Sequence, residues 1–130
     1  MSNSIPEELL FSRSHEWVRR EGELITIGVS HHAEQLLGDI VFVELPEEGE
    51  TISRTEPLGV VESVKAASDV YAPVSGEVVA FNAELEDSPA LVNQSPYGDG
   101  WFIQVKDFDE GDLDELLTAQ EYAQFISEEE

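Results

Sequence analysis

The sequence holds only two lysines, Lys65 and Lys106, so few primary amines are available for covalent chemistry. Lys65 lies in Gly59-Val-Val-Glu-Ser-Val-Lys65-Ala-Ala-Ser-Asp-Val-Tyr71, which reads as two strands meeting at a turn. β-Branched residues on both sides stiffen the arms, while Ala66, Ala67 and Ser68 keep the surroundings small. Such a segment holds one amine in solvent on a rigid support, which is what a covalently attached carrier cofactor needs. Glu62 lies three residues before the amine and Asp69 four after it. Their plain role is solvation; their functional role is as handles that a modifying enzyme or partner reads. An exposed lysine is ordinarily only an exposed cation, so the functional reading has a bland competitor.

Little else in the chain offers chemistry. With no cysteine, disulfides, zinc-thiolate sites and thiol nucleophiles are excluded. The three histidines, His15, His31 and His32, form no metal pattern; the adjacent pair on one helix points in different directions. No glycine-rich phosphate loop, HExxH segment or GxSxG elbow is present. We therefore expect no catalytic residue and no metal site. The net charge of −23, from 29 acidic against 6 basic residues, argues against nucleic acid, whose phosphates need clustered Lys and Arg. The excess acid fits a solvated, self-repelling monomer, a field that steers the chain toward basic docking surfaces, or adaptation to high salt.

The elements that position Lys65 follow from the pattern. Segment 16–27 reads as two strands around a Glu21-Gly22 turn, with period-two alternation through Val29. Ser30 caps a short helix from His31 to Leu37, and Gly38 ends it. Ile40 to Glu44, Thr51-Ile52, Leu58 to Val64, Val70-Tyr71, Glu77 to Phe81 and Trp101 to Val105 read as further strands. Gly49 and Gly76 sit in what look like related turns on either side of the lysine hairpin, which spans about 58–72. Short strands every ten residues or so predict an all-β sandwich or barrel. Leu113, Leu116, Leu117, Tyr122, Phe125 and Ile126 recur at helical spacing, and Thr118-Ala-Gln-Glu121 is a capping box. A helical segment is therefore expected over about 111–127, ending in a frayed acidic tail from Glu128 to Glu130. Trp17, Phe42, Phe81, Trp101 and Phe102 are expected in the core. No linker divides the chain, so residues 1–130 are read as one domain. Met1 to Pro6 has neither the basic nor the apolar run of a signal peptide, and no segment is apolar enough to span a membrane. A bacterial cytoplasmic protein is the simplest expectation, and a processed organellar protein would look the same.

The segment Glu62-Ser-Val-Lys65-Ala-Ala-Ser-Asp69 resembles the glycine cleavage system H proteins, which are lipoyl carriers. The resemblance runs through Ser14-His-Glu-Trp17, Gly38-Asp-Ile-Val-Phe-Val-Glu-Leu-Pro46, Tyr71-Ala-Pro-Val-Ser-Gly-Glu-Val-Val79, Leu91-Val-Asn93, Ser95-Pro-Tyr97 and Gly100-Trp101, and so covers nearly the whole chain. It implies a mainly β, lipoyl/biotinyl-carrier-like β-sandwich, a half-barrel with the short helix near 31–37 and helices at the C-terminus. It also implies lipoic acid as a covalent cofactor, one per chain, attached as an amide to Lys65. Glu62, Gly49 and Gly76 match the family positions associated with lipoylation, and Ser14, Glu16 and Asp69 match positions bordering a cleft that shelters the loaded arm.

The implied partners are a pyridoxal-phosphate-dependent glycine decarboxylase, a folate-dependent aminomethyltransferase and a flavin-dependent dihydrolipoamide dehydrogenase. A lipoate ligase or lipoyl transferase would load the arm. The chain itself would be a non-catalytic shuttle that touches neither nucleic acid nor membrane. Three other readings stay open on residues alone. One is a carrier of another kind, although Val64 and Ala66 replace the methionines that typically flank a biotinyl lysine. The others are a lipoyl relay in cofactor assembly and a cofactor-free acidic interaction protein.

Overall fold

The computed structural model describes residues 6–129; Met1 to Ile5 and Glu130, with the expectations placed on them, lie outside the described residues. Two antiparallel sheets dominate. The strands of the larger are β1 (Leu10–Phe11), β2 (Glu16–Glu21), β3 (Leu24–Val29), β5 (Thr51–Ile52), β8 (Gly76–Phe81), β9 (Ile103–Lys106) and β10 (Leu117–Thr118), and those of the smaller β4 (Ile40–Glu44), β6 (Pro57–Ser63) and β7 (Ala67–Tyr71). The larger is ordered β10-β1-β2-β3-β9-β8-β5 and the smaller β4-β6-β7. Neither sheet closes on itself, so this is an open sandwich of the mainly β, lipoyl-carrier-like kind.

The core is built by period-two alternation from both sheets. Val18, Ile25, Ile27, Val78, Ile103 and Val105 of the large sheet meet Ile40, Val43, Val61 and Val70 of the small one. The other face of β1 and β2 is also covered. Phe11 and Trp17 pack there with Leu9, Ala119 and Tyr122 beneath α5 (Ala119–Glu129). Trp17 lies over Gly28, its partner in register, where a Cβ would come within 2.7 Å of the indole.

The short helix α1 spans His31–Leu37, with the Ser30 hydroxyl accepting the Ala33 N–H at 3.1 Å. Such a cap is worth about 1 kcal/mol. Gly38 ends the helix at φ 84°, ψ −154°, a conformation closed to most L-residues.

Three expectations need correction. The expected C-terminal helices are present, α5 starting at the Thr118 capping box, but a strand interrupts the 111–127 segment. After α4 (Glu110–Leu113), Leu117–Thr118 forms β10 and pairs with Leu10–Phe11 before α5 begins. The helical spacing of the leucines reflects packing against the core by residues on different elements. Second, α5 continues through Glu129, so Glu128 and Glu129 are helical rather than a frayed tail. Third, Phe42 is 49% exposed instead of core. A β-bulge explains it: Ile40 pairs with Ser63 and Phe42 with Glu62, so Val41 is an extra residue that shifts the alternation. Val43 turns inward as a result, while Val41 and Phe42 both face out. Sequence reading also missed β1 and two short helices, α2 (Glu84–Asp87) and α3 (Leu91–Gln94).

Candidate functional site

β6 and β7 form the lysine hairpin, in register through Val60–Asp69, Val61–Ser68 and Glu62–Ala67. Ser63 organises the turn. Its N–H donates to the Ala66 carbonyl at 2.9 Å, and its hydroxyl accepts the N–H groups of Lys65 and Ala66 at 3.1 and 3.2 Å. Lys65 is thereby displayed at the tip, and its side chain is exposed.

The tip is braced from outside the hairpin. The Val64 N–H donates to the Asp39 carbonyl at 3.0 Å, tying the turn to the segment between α1 and β4. A Cβ built on Gly38 would lie 3.3 Å from Lys65 Cε and 3.8 Å from Nζ, so the missing side chain leaves the lysine stem its resting place. Asn93 of α3 holds that segment. Its amide NH2 donates to the Gly38 carbonyl at 2.8 Å and to Glu34 at 3.0 Å, while its oxygen accepts the Ile40 N–H at 2.9 Å. The buried Glu34 also meets His31 Nδ1 at 2.7 Å. Asn93, Glu34 and Gly38 were missed as supports for the lysine. The Leu91-Val-Asn93 motif was visible, but its partner lies 53 residues away for Ile40 and could not be paired from sequence.

At the other end of β7 lies a buried carboxylate. Glu16 is 2% exposed, on the inward face of β2 with Val18. One oxygen accepts the hydroxyls of Ser12 and Ser14 at 2.5 and 2.6 Å; the other accepts the Tyr71 N–H at 3.0 Å. Burial pushes the Glu16 carboxyl above its ordinary value, against the pull of these donors. The arrangement bolts β7 to β2.

Ser12, Ser14 and Tyr71 also line an open cleft of about 400 Å³, together with Arg13, Arg54 and Thr55. Two non-glycine residues with positive φ stand beside it, His15 at 78° and Thr55 at 72°. Such strain persists only where the surroundings over-determine it. His15 Nδ1 is 2.8 Å from the Tyr122 hydroxyl, which is 2.7 Å from that of Ser30.

The candidate residues therefore fall into three places. Lys65 and Glu62 are on the hairpin, with Glu62 exposed opposite Ala67 and Phe42. Ser14 lines the cleft and Glu16 braces it from behind. Asp69 is exposed on β7 between the two, sharing a face with Ala67 and Tyr71, and does not line the cleft. Gly49 and Gly76 lie away from the hairpin, on the β5–β8 edge of the large sheet. Gly49 turns at φ 92° and donates its N–H to the Val78 carbonyl at 2.8 Å. Gly76 opens β8, where a Cβ would come 2.4 Å from Val105 Cγ1. Only the first of the pair is a positive-φ turn residue.

The open antiparallel sandwich, with one lysine displayed on a stiff hairpin, is of the lipoyl-carrier-like class. Comparison with known proteins narrows the class. The model of the glycine cleavage H-protein family matches residues 9–129. Glycine cleavage system H protein of Neisseria meningitidis serogroup C is 58% identical over 124 residues, covering 95% of this chain and 97% of that protein. Its counterpart in Shewanella baltica (strain OS155) is 57% identical over 130 residues, covering 99% and 100%. The crystal structure of a glycine cleavage system H protein from Mycobacterium marinum superposes with a TM-score of 0.84 at 41% identity, covering 92% and 97% of the two chains. The chain belongs to the glycine cleavage H-protein family.

Proposed function

We propose that Lys65 is the residue that carries lipoic acid as an amide, and that the chain works as one domain in this role. As a member of its family the chain serves the glycine cleavage system as lipoyl carrier. The observation that supports Lys65 is its display: an exposed amine at a braced turn, beside a glycine that leaves room for the stem. Lys106, the other lysine, ends β9 within the large sheet.

The residues present fit the group. Small Ala66 and Ala67 leave the amine accessible, and the Ser63 turn keeps it fixed relative to the sandwich. When bound, a lipoyl amide supplies a dithiolane that exchanges sulfur bonds with a substrate carbon and is reoxidised between partners. Ala67, Asp69 and Tyr71 form a continuous outer face from the tip to the Ser14 cleft, about 13 Å along the strand. That cleft gives a loaded arm a wall to lie against, where Glu16 holds the Ser12 and Ser14 hydroxyls and the Tyr71 N–H in place. With no cysteine in the chain, no protein thiol competes for the cofactor disulfide.

The partners follow from the same reading. Glycine decarboxylase loads the arm, the aminomethyltransferase empties it and dihydrolipoamide dehydrogenase reoxidises it, after a lipoate ligase or lipoyl transferase has attached it. The chain itself contributes no catalytic group. Among the described residues no helix is long and apolar enough to cross a membrane, and no cluster of His, Asp and Glu could hold a metal. A bacterial cytoplasm is the compartment we propose.

The test is Lys65→Arg. Arginine keeps the charge but does not accept the acyl group as an amine does. Fold and melting temperature should be retained while glycine decarboxylation with the three partner enzymes falls to background. Activity at the wild-type level would remove Lys65 from the role.

A further inference from the structure

Among the described residues the four most exposed large apolar side chains are Val64 (68%), Leu36 (58%), Val41 (52%) and Phe42 (49%), all near the lysine hairpin, while Leu24 and Tyr71 lie apart. Val64 is the residue before Lys65, and its N–H is bound to Asp39, so it stands against the segment that leads into β4. Phe42 is opposite Glu62 in register, three residues before Lys65. Val41 is the extra residue of the bulge, and Leu36 lies two residues before the Gly38 that shelters the lysine stem. Without the bulge, alternation would bury Phe42 with Ile40. With it, Val41 and Phe42 both face solvent, at an edge strand beside the amine. Bulges of this kind re-aim side chains near functional sites, and contiguous apolar surface marks a contact rather than a solvated face.

We infer that Val41 and Phe42, turned outward by the β4 bulge, and Val64 beside Lys65 form the docking strip for the enzyme that acylates Lys65. The partner surface is an apolar recess with a basic rim. The inference rests on the reading of Lys65 as the lipoyl site. Reach singles out the acylating enzyme. Nζ attacks the acyl carbon of a lipoyl adenylate, forming the amide C–N bond. The C–O bond to phosphate breaks, AMP leaves, and the amine gives up a proton to base. An enzyme performing that step must bring its active site to within bonding distance of Nζ, so its rim necessarily covers the residues around the lysine stem. Enzymes that work at the far end of the arm have no such constraint. The basic rim follows from charge. Asp39, Glu44 and Glu62 are exposed around the strip, on a chain of net charge −23.

The experiment is steady-state lipoylation of the unmodified full chain by a lipoate–protein ligase with lipoate and ATP. Variants are Phe42→Ser, Val41→Ser and Phe42→Leu, with Leu24→Ser as a distant exposed control. Phe42→Ser should raise the KM for the carrier about tenfold, with kcat within about twofold, the scale of losing one apolar anchor. Val41→Ser should give a smaller rise in KM, Phe42→Leu should recover most of the loss, and Leu24→Ser should match wild type. Reaction of Lys65 with a small acylating ester should be the same in all of them, showing that the amine itself is unaltered. The wild-type KM should rise with salt as the rim is screened.

A KM for Phe42→Ser and Val41→Ser equal to wild type, with Lys65 lipoylated normally, would overturn this inference alone. A wild-type chain that takes no lipoyl group would overturn it together with the reading of Lys65. A concentration-dependent dimer of the free chain, abolished by Phe42→Ser, would assign the strip to a second copy instead.

Discussion

The two ends of β7 are held in opposite ways. At the tip, the turn is fixed by backbone and by one serine hydroxyl, and every side chain from Val64 to Ala67 is exposed. At the base, a carboxylate at 2% exposure accepts three hydrogen bonds and ties Tyr71 to β2. The tip places an amine without enclosing it, whereas the base uses buried polar groups to fix where the strand ends. Both properties suit the proposed carrier role, in which an arm on Lys65 would reach other enzymes from a defined point.

Breaking the base should cost the most stability and leave the tip's chemistry intact. Glu16→Ala strands the Tyr71 N–H and should destabilise the protein by about 3 kcal/mol. Under native conditions, the rate at which Lys65 is acylated should stay within about twofold of wild type. A large loss of acylation without loss of stability would show that Glu16 acts at the tip.

The same carboxylate gives a pH signature. Because burial raises its folded value above the ordinary 4.5, the folded state holds this proton more tightly than the unfolded chain. Its contribution is fully present below the unfolded value and is lost as pH rises through the raised one. The stability of wild type minus that of Glu16→Gln should therefore shrink as pH rises from 4.5 and then level off. Urea melts across that range read it directly, and a difference that grows with pH would mean that the Ser12, Ser14 and Tyr71 donors outweigh burial.

Asn93 tests the support behind the tip. Asn93→Ala removes the acceptor for Ile40 and the donors to Gly38 and Glu34, at a cost of about 2 kcal/mol. It should also slow acylation of Lys65, because Asp39 no longer holds Val64 in place. Loss of stability with unchanged acylation would make Asn93 a purely structural residue.

The smallest effect belongs to the α5 cap. The Thr118 hydroxyl accepts the Glu121 N–H at 3.2 Å, and Glu121 returns a bond to the Thr118 N–H at 3.0 Å. Thr118→Ala should cost about 1 kcal/mol by thermal unfolding, with no change at the tip.

The tip was legible in sequence and the base was not. The strand–turn–strand pattern around Lys65, the Ser30 cap and the Thr118 capping box are local signals, and each matches the structure. Resemblance pointed to Ser14 and Glu16, but not to the bond from Tyr71 to Glu16 across 55 residues. Asp69 was grouped with that cleft, yet it stands on the strand leading toward it. Phe42 was misplaced because an inserted bulge residue is invisible to period-two counting. Leu117 was misplaced because its strand exists only through a partner near the N-terminus. Local chemistry can be read from local residues; tertiary pairing cannot.

The proposed carrier role turns on which amine is modified. The most direct measurement is intact-mass spectrometry and peptide mapping of the chain expressed with lipoate and a lipoate ligase. We predict one lipoyl adduct per chain, on Lys65, with Lys106 bare. An adduct on Lys106, or none on the folded chain while a control lipoyl domain in the same cells is modified, would contradict it.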